Sequence, residues 1–249
     1  MAWLKAAIPI SAMKKRAVVI LAIVIVVGLP AALLLFPTWR IIAVGIASGE
    51  KFYRAKPTSY WTHALTGKDG AETKVLLKQG GAAAVPVMIQ ALAEPDPQKR
   101  DAAADALGQI GSAAVPALII ALKDPDATVR IGAARSLNRM GMAGKEAVPA
   151  LRGVGTDDVL LVRLMAVAAL GRMGKDAVPA LIEAFADKSD RSLHLDVLRA
   201  LARIGPDANQ AVPVLVRALA QQDEDDYHDE IMKTLKKIDP QAAIKAVKP

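Results

Sequence analysis

Residues 114–141 read AVPALIIALKDPDATVRIGAARSLNRMG, and this stretch is one copy of a pattern that recurs along the chain. The tripeptide Ala-Val-Pro opens each of five copies, at successive intervals of 30, 33, 30 and 34 residues. The prolines of these tripeptides are Pro86, Pro116, Pro149, Pro179 and Pro213. A fixed period of this size is typical of stacked repeats, each of which is too small to bury its own apolar face.

Each copy reads as a short helix, a break and a longer helix. Proline costs nothing at the first position of a helix, so the short helix should begin at the tripeptide. In the first four copies the longer helix ends at a glycine, which suits the positive φ often found just past a helix end; the fifth has Asp239 there. When the longer helices are aligned, five leucines coincide, and a small residue precedes each of them, which predicts close packing between helices. The aligned leucines are Leu107, Leu137, Leu170, Leu201 and Leu235.

The pattern resembles the HEAT repeat, in particular the short HEAT-like repeats of phycobilisome lyases. The likeness is carried by Ala114-Val-Pro-Ala-Leu118, Asp124-Pro-Asp126, Val129-Arg130, Ala133-Ala134 and Leu137 to Gly141. It implies an all-α fold, an α-solenoid of HEAT-like helical hairpins that binds another protein. The lyase relatives attach or remove bilin chromophores, so a bilin lyase or a subunit of one is the alternative function. The expected units are residues 59–80 (a degenerate copy), 84–111, 114–141, 147–174, 177–205 and 211–239.

Residues 17–36 (AVVILAIVIVVGLPAALLLF) form an uncharged stretch before the repeats. Twenty helical residues span about 30 Å, the thickness of a bilayer core, so this stretch predicts one transmembrane helix. Basic residues at 14–16 favour a cytoplasmic tail, residues 1–16, with the repeats on the exoplasmic or periplasmic side of a bacterial membrane. A cleaved signal peptide is the alternative, although its apolar core is normally about 7–15 residues long. Residues 37–58 would then be a juxtamembrane linker, and residues 59–249 the repeat array.

The positive charge of the chain lies beside this apolar stretch. The formal net charge is +7, and residues 1–56 carry all of it, with eight Lys/Arg and one Glu. Residues 57–249 contain 24 Lys/Arg and 24 Asp/Glu. Basic residues beside a membrane helix contact anionic lipid, whereas a nucleic-acid module carries its surplus on the folded domain with aromatic residues for stacking. The chain has three Phe, three Tyr and three Trp, so we expect no nucleic-acid partner.

The sequence contains no recognisable catalytic motif. Without cysteine there is neither a disulfide nor a cysteine-ligated metal, and no phosphate-binding glycine loop or activated nucleophile occurs. We therefore expect no catalytic residue, no metal and no cofactor. A polar position seven residues before each aligned leucine predicts structural contacts between repeats; a metal site made by its two histidines is the alternative reading. This position holds Arg100, Arg130, Arg163, His194 and His228.

Basic residues also recur two positions before and two positions after the aligned leucines. They share one helix face by i,i+4 geometry, and acidic residues gather at the starts of the long helices. Bases at helix ends complement the helix dipole, which is sufficient to explain them. The functional interpretation is a basic stripe that recognises an acidic segment of a partner protein. The residues of this predicted partner-binding stripe are Arg135, Arg139, Arg172, Arg199, Arg203, Lys233 and Lys237.

Overall fold

The structure is a computed structural model that describes residues 37–186, 191–220 and 225–247. The predicted cytoplasmic tail and transmembrane helix, residues 1–36, lie outside the described residues. The chain divides into two compact units, Met1–Tyr60 and Trp61–Pro249.

The described part of the first unit holds a helix and a small hairpin within the segment predicted as a juxtamembrane linker. Helix α1 is Pro37–Ala47, and strands β1 (Phe52–Tyr53) and β2 (Lys56–Pro57) pair antiparallel. The two residues of the connecting turn, Arg54 and Ala55, both have positive φ, as the favoured two-residue hairpin turns require. The hairpin is therefore shaped by its turn, although neither turn residue is the usual glycine or asparagine.

The second unit alternates short and long helices, as the repeated pattern predicts. Helices α2 (Thr58–Thr66) and α3 (Gly70–Gly80) precede five pairs, and α14 (Pro240–Val247) follows them. The short helices are α4 (Val85–Ala91), α6 (Val115–Ala121), α8 (Val148–Gly153), α10 (Val178–Ala186) and α12 (Val212–Leu219). The long helices are α5 (Pro97–Ile110), α7 (Ala127–Met140), α9 (Leu160–Leu170), α11 (Arg191–Ile204) and α13 (Asp225–Ile238). Each short helix begins one residue before its proline.

Each long helix packs against the short helix of its own pair and against the long helix of the next pair. This arrangement is the nearest-neighbour stacking of a helical-repeat solenoid. The aligned leucines lie in the interior, and Leu170 is 2% exposed. The small residues beside them are buried as well, and the two that carry hydroxyls hydrogen-bond to carbonyls: Ser136 donates to Gly132 at 2.7 Å and Thr234 to Leu198 at 3.3 Å.

A short 3₁₀ turn connects each long helix to the next short helix, and it begins at glycine in the described connections from α3 to α12. These glycines have φ between +51° and +78°, which confirms the predicted positive φ. At Gly111 the accompanying ψ is −147°, a region open essentially to glycine alone. The glycines are Gly81, Gly111, Gly141, Gly174 and Gly205.

Helix α9 is shorter than its equivalents, with 11 residues where α5, α7, α11 and α13 each have 14. Asp96 and Asp126 cap α5 and α7 by accepting a hydrogen bond from the backbone two residues on, at 2.9 and 2.8 Å. Val159 occupies the same position before α9 and has no capping side chain. Helix α9 nevertheless begins ten residues before its aligned leucine, as α5 and α7 do. It is short because it ends at Leu170, whereas α5 and α7 continue for three residues beyond their leucines, to Ile110 and Met140.

One stretch of the described residues, Pro97–Ala121, is long and apolar enough to cross a membrane by length and composition. It comprises α5, a 3₁₀ turn and α6, and the chain reverses its course at Gly111, where φ is +78°. Much of its apolar surface belongs to the core of the repeats. We therefore assign it to the repeat array and not to a membrane span.

Successive long helices approach so closely that glycine is required at their contacts. A Cβ atom built at Gly171 would lie 2.7 Å from Ala200 Cβ, and one built at Gly108 would lie 2.9 Å from Arg139 Cβ. Both distances are below normal van der Waals contact. The close packing predicted from the small residues of the long helices is confirmed at these two sites.

Replacing Gly171 by alanine should lower the free energy of unfolding by about 1–3 kcal/mol, because the added methyl group overpacks the contact with Ala200. The backbone at Gly171 is ordinary right-handed helix, with φ of −62°, so conformational strain does not contribute. Urea unfolding followed by far-UV circular dichroism measures the change.

Gly153→Ala is the matched control, because φ is −62° there as well and no atom lies within 4 Å of the new Cβ. Alanine should leave stability unchanged or raise it by about 0.4–1 kcal/mol, since it restricts the unfolded chain. Equal effects of the two substitutions would contradict the close-packing account.

Candidate functional site

Three positions on each long helix share one surface that runs along the array. They lie six and two residues before the aligned leucine and two residues after it, so they are spaced i, i+4 and i+8 on one helix face. We call this surface the long-helix stripe. Its members are half-buried or exposed: Asp101, Asp105 and Gln109 on α5; Ile131, Arg135 and Arg139 on α7; Leu164 and Ala168 on α9, with Arg172 in the turn that follows it; Leu195, Arg199 and Arg203 on α11; Asp229, Lys233 and Lys237 on α13.

The first half of the stripe pairs its own charges. Arg135 forms an ion pair with Asp101, and Arg139 forms one with Asp105, both between helices α5 and α7. Lys74 Nζ on α3 also lies 3.6 Å from Asp105. Two of the seven predicted partner-binding residues are therefore engaged by carboxylates of the preceding repeat.

In the second half of the stripe, formed by helices α9, α11 and α13, the basic residues have no ion pairs with a neighbouring helix among the described residues. Arg199 pairs with Asp196 at 3.0 Å and Lys233 with Glu230 at 3.3 Å, each within its own helix. Exposed pairs of this kind contribute about 0–1 kcal/mol and exchange readily with other partners. Arg172, Arg203 and Lys237 make no ion pair within the described ranges of the chain. The structure thus places all seven predicted residues on one face and divides them into two groups.

Asp101 and Asp105 pair with the basic residues of this surface, although the sequence alone did not assign them to it. The acidic residues were expected at the starts of the long helices, whereas these two lie inside α5. The signal was present, because Asp105 occupies in its helix the position that Arg135 occupies in the next one. Its meaning depends on which positions of neighbouring helices face each other.

The polar position seven residues before the aligned leucine closes the break between the two helices of a pair. Nη1 of Arg100 donates to the carbonyl oxygens of Glu94 and Pro95 at 2.7 and 2.8 Å. Arg130 repeats this contact with the equivalent two carbonyls, at 2.9 and 3.1 Å. Arg163 donates to the carbonyl of Asp157 at 2.6 Å. These arginines satisfy backbone acceptors that the helices leave unpaired.

Arg130 also reaches the next repeat. Its Nε and Nη2 donate to the two carboxylate oxygens of Asp157 at 2.7 and 2.9 Å, and Nη2 donates to Asp158 at 3.0 Å. The side chains of Arg130 and Asp157 are 12% and 10% exposed. Burial raises the pKa of Asp157, but hydrogen bonds from Arg130 and from the N–H of Val159 outweigh it and bring the pKa below its ordinary value. A bidentate, nearly buried pair thus joins two repeats.

The two histidines at this position lie near aromatic residues. Nδ1 of His194 is 3.2 Å from the hydroxyl of Tyr227, and the Phe185 ring centroid is 5.2 Å from that of His194. This cluster links helices α10, α11 and α13, and His228 follows Tyr227 in a half-buried position. Among the residues described, no group of three or more His, Cys, Asp or Glu side chains is placed to hold a metal ion.

A groove of about 890 Å³ lies between helices α6 and α8, beside the pair of Arg130 and Asp157. Its lining carries charges of both signs, including Lys123, Glu146 and Asp158. A groove with mixed charge selects neither an anionic nor a cationic ligand. The long-helix stripe is therefore the better candidate surface.

Arg130→Met should lower the free energy of unfolding by about 2–4 kcal/mol at neutral pH, because the carboxylate of Asp157 loses its partner in a nearly buried site. The lowered pKa of Asp157 means that the pair stabilises the fold above the ordinary value of 3.8. This contribution is lost as the pH falls through the lowered pKa. The difference between the variant and the original protein should shrink accordingly in urea unfolding at acidic pH.

Arg152→Met is the control, because the ion pair of Arg152 with Glu183 is 55% and 53% exposed. Its loss should lower the free energy of unfolding by less than about 1 kcal/mol. If both arginine variants lose the same stability, or if the difference between the Arg130 variant and the original protein does not shrink at acidic pH, the buried pair does not connect the repeats as described.

The chain is similar to several repeat proteins of known structure. The chain is similar to the complex of CpcE and CpcF of phycocyanin lyase from Nostoc sp. PCC7120, with 26% identity over 76% of this chain and 79% of that one, and a TM-score of 0.39. An archaeal HEAT-like repeats protein from Thermococcus onnurineus NA1 is 16% identical over 73% and 80% of the two chains, with a TM-score of 0.44. A designed armadillo repeat protein in complex with the peptide (KR)4 is 16% identical over 76% and 98%, with a TM-score of 0.45. No curated protein sequence matches the chain.

A family model of HEAT repeats matches residues 85–171 and again residues 156–236. These matches contain the five helix pairs, their positive-φ glycines and the arginines that close the breaks between helices. Together they span more than half of the chain. With the repeat period, the paired helices and this match in agreement, the chain belongs to the HEAT-repeat family.

Proposed function

We propose that this protein is a non-catalytic scaffold, tethered to a membrane, that binds another protein through the long-helix stripe. The observation that carries the proposal is the set of exposed basic side chains on successive long helices, of which Arg172, Arg203 and Lys237 have no acidic partner within the described residues. Stacked repeats present such positions as one continuous surface.

A surface of this kind suits an extended segment of a partner protein. Each repeat contributes the same three positions, so a bound segment meets a new set of side chains at each helix. The excess of basic residues selects carboxylates, and electrostatic complementarity of this type governs specificity and the rate of association. Binding should weaken as salt is added, since the charges are exposed.

The membrane tether rests on residues 17–36, which are long enough and apolar enough to cross a bilayer. Helix α1 follows this stretch, and Ile41, Val44 and Ile46 on it are exposed. Apolar side chains exposed on a short helix next to a membrane segment fit a position in the lipid interface. The basic residues at 14–16 support a cytoplasmic amino terminus, with the repeats on the other side.

The bilin-lyase hypothesis makes a separate prediction that is simple to test. If the chain is a bilin lyase, its incubation with a bilin and an acceptor protein should attach the chromophore to the acceptor or remove it. Absorbance, and fluorescence of the denatured proteins in a gel, would show the change. The scaffold proposal expects neither change. Chromophore transfer by this chain would overturn the non-catalytic assignment.

For the tether, we expect the protein, expressed in bacteria, to stay in the membrane pellet after alkaline carbonate extraction. A variant that lacks residues 17–36 should be released, because the remaining contacts with lipid are superficial. Protease added to intact spheroplasts should digest the repeats.

Two results would contradict the tether and its orientation. Release of the full-length protein by carbonate, or a mature protein whose amino terminus lies beyond residue 36, would exclude a transmembrane anchor. Repeats that resist protease until the spheroplasts are lysed would place the array on the cytoplasmic side. Immunoblotting of a carboxyl-terminal tag, with a periplasmic and a cytoplasmic marker as controls, separates these outcomes.

A further inference from the structure

The two ion pairs in the first half of the stripe define how neighbouring long helices face each other. Asp101 on α5 meets Arg135 on α7, and Asp105 meets Arg139. The position six residues before the aligned leucine thus faces the position two residues before it on the next helix. The position two residues before the leucine likewise faces the one two residues after it.

In the second half of the stripe, the same register brings different residues opposite the basic side chains. The positions that face Arg199, Arg203 and Lys233 hold Leu164, Ala168 and Leu195. The residue after the aligned leucine meets the same two positions of the next helix in both halves: Gly108 lies against Ser136 and Arg139, and Gly171 against Ala200 and Arg203. We carry this register over to α9, α11 and α13, which pack in sequence as α5 and α7 do. Apolar side chains therefore face Arg199, Arg203 and Lys233, whereas carboxylates face Arg135 and Arg139; Lys237 faces Arg199.

The second half of the stripe consequently combines two kinds of side chain. Leu164 and Leu195 are half-buried, and Leu161, which lies on the same face of α9 one to two turns from Ala168, is 43% exposed. Arg172, Arg203 and Lys237 are exposed at the other end of the same faces. A row of apolar side chains runs beside a row of basic ones.

We propose that the docking surface is the carboxyl-terminal half of the stripe, on helices α9, α11 and α13, and that its occupant is an acidic amphipathic segment of another protein. Carboxylates of the segment would pair with the basic row, and its apolar side chains would cover the leucine row. The amino-terminal half takes no part, because Asp101 and Asp105 already occupy the places of the partner's carboxylates. This inference rests on the proposed function, since it assumes binding through the stripe.

Charge and composition favour a protein segment over a nucleic acid. Residues 57–249 carry equal numbers of acidic and basic residues, 24 of each. Asp196, Asp229 and Glu230 interrupt the basic residues of α11 and α13, so this surface suits spaced carboxylates better than the evenly charged backbone of a nucleic acid. The leucine row offers apolar contact but no aromatic ring on which a base could stack.

The test uses the full chain in detergent and a fluorescently labelled synthetic peptide that alternates pairs of leucine and glutamate. Fluorescence anisotropy gives its affinity for the original protein and for three double variants. Removing two charges from the second half of the stripe, with R172Q and R203Q, should weaken binding about fivefold to thirtyfold, the effect of losing two exposed ion pairs. Removing two charges from the first half of the stripe, with R135Q and R139Q, should change the affinity for the peptide by less than about twofold.

The third variant, D101N with D105N, should strengthen binding several-fold, because it frees Arg135 and Arg139 for the peptide. Far-UV circular dichroism verifies that each variant folds. A peptide with glutamine in place of glutamate tests the need for charge, and one with serine in place of leucine tests the need for the apolar row. Both replacements should weaken binding.

The outcomes separate this inference from the proposed function. If the peptide binds but both arginine pairs matter equally, or D101N with D105N has no effect, the inference is wrong while the stripe still binds. If the leucine–glutamate peptide does not bind, or binds regardless of salt and of every stripe variant, both fall. Tighter binding of a single-stranded oligonucleotide or of anionic phosphatidylserine vesicles, with loss in R172Q/R203Q, would show that the surface takes a different polyanion.

Discussion

Successive long helices of this array touch at glycine, alanine and buried leucine, and this close contact determines the rest of the structure. No side chain fits at Gly171 against Ala200, so the two helices can meet only with this alignment. Once the helices are aligned, Leu170 and its equivalents fall in one continuous interior. Tight interiors of this kind tolerate neither added nor removed methyl groups without loss of stability.

The same alignment decides which polar groups meet between repeats. It brings Arg130 to Asp157 in a nearly buried pair and Arg135 to Asp101 on the exposed face. A repeat array can therefore satisfy its own charges in one region and leave them available in another without any change of fold. In this chain the difference between the two regions is that Leu164, Ala168 and Leu195 stand at positions where α5 has carboxylates.

Much of the fold could be predicted from the sequence because its signals are local and repeated five times. The proline at the start of each short helix and the glycine after four of the five long ones depend only on backbone conformation. Contacts between helices were harder to predict from the sequence, because the pairing of Asp105 with Arg139 needs the relative position of two helices. The contact of His194 with Tyr227 depends on single residues that depart from the pattern.

Two further features could not be predicted from the sequence. The hairpin of β1 and β2 turns at Arg54 and Ala55, which carry no conventional turn signal, so the hairpin could not be predicted from these residues. The acidic residues Asp101 and Asp105 were visible in the sequence, but their meaning was not. Only the facing of α5 and α7 shows that they close one half of the stripe and leave the other half open.

Contacts between neighbouring repeats provide most of the stability of this array. Thermal unfolding of the full chain in detergent, followed by far-UV circular dichroism, tests this directly. Leu170→Ala in the central repeats should cost about 2–5 kcal/mol, because its cavity lies between two neighbours. Removing residues 240–249, which follow the last pair, should cost much less, since they have a neighbour on one side only. Comparable losses of stability from the two changes would contradict the account.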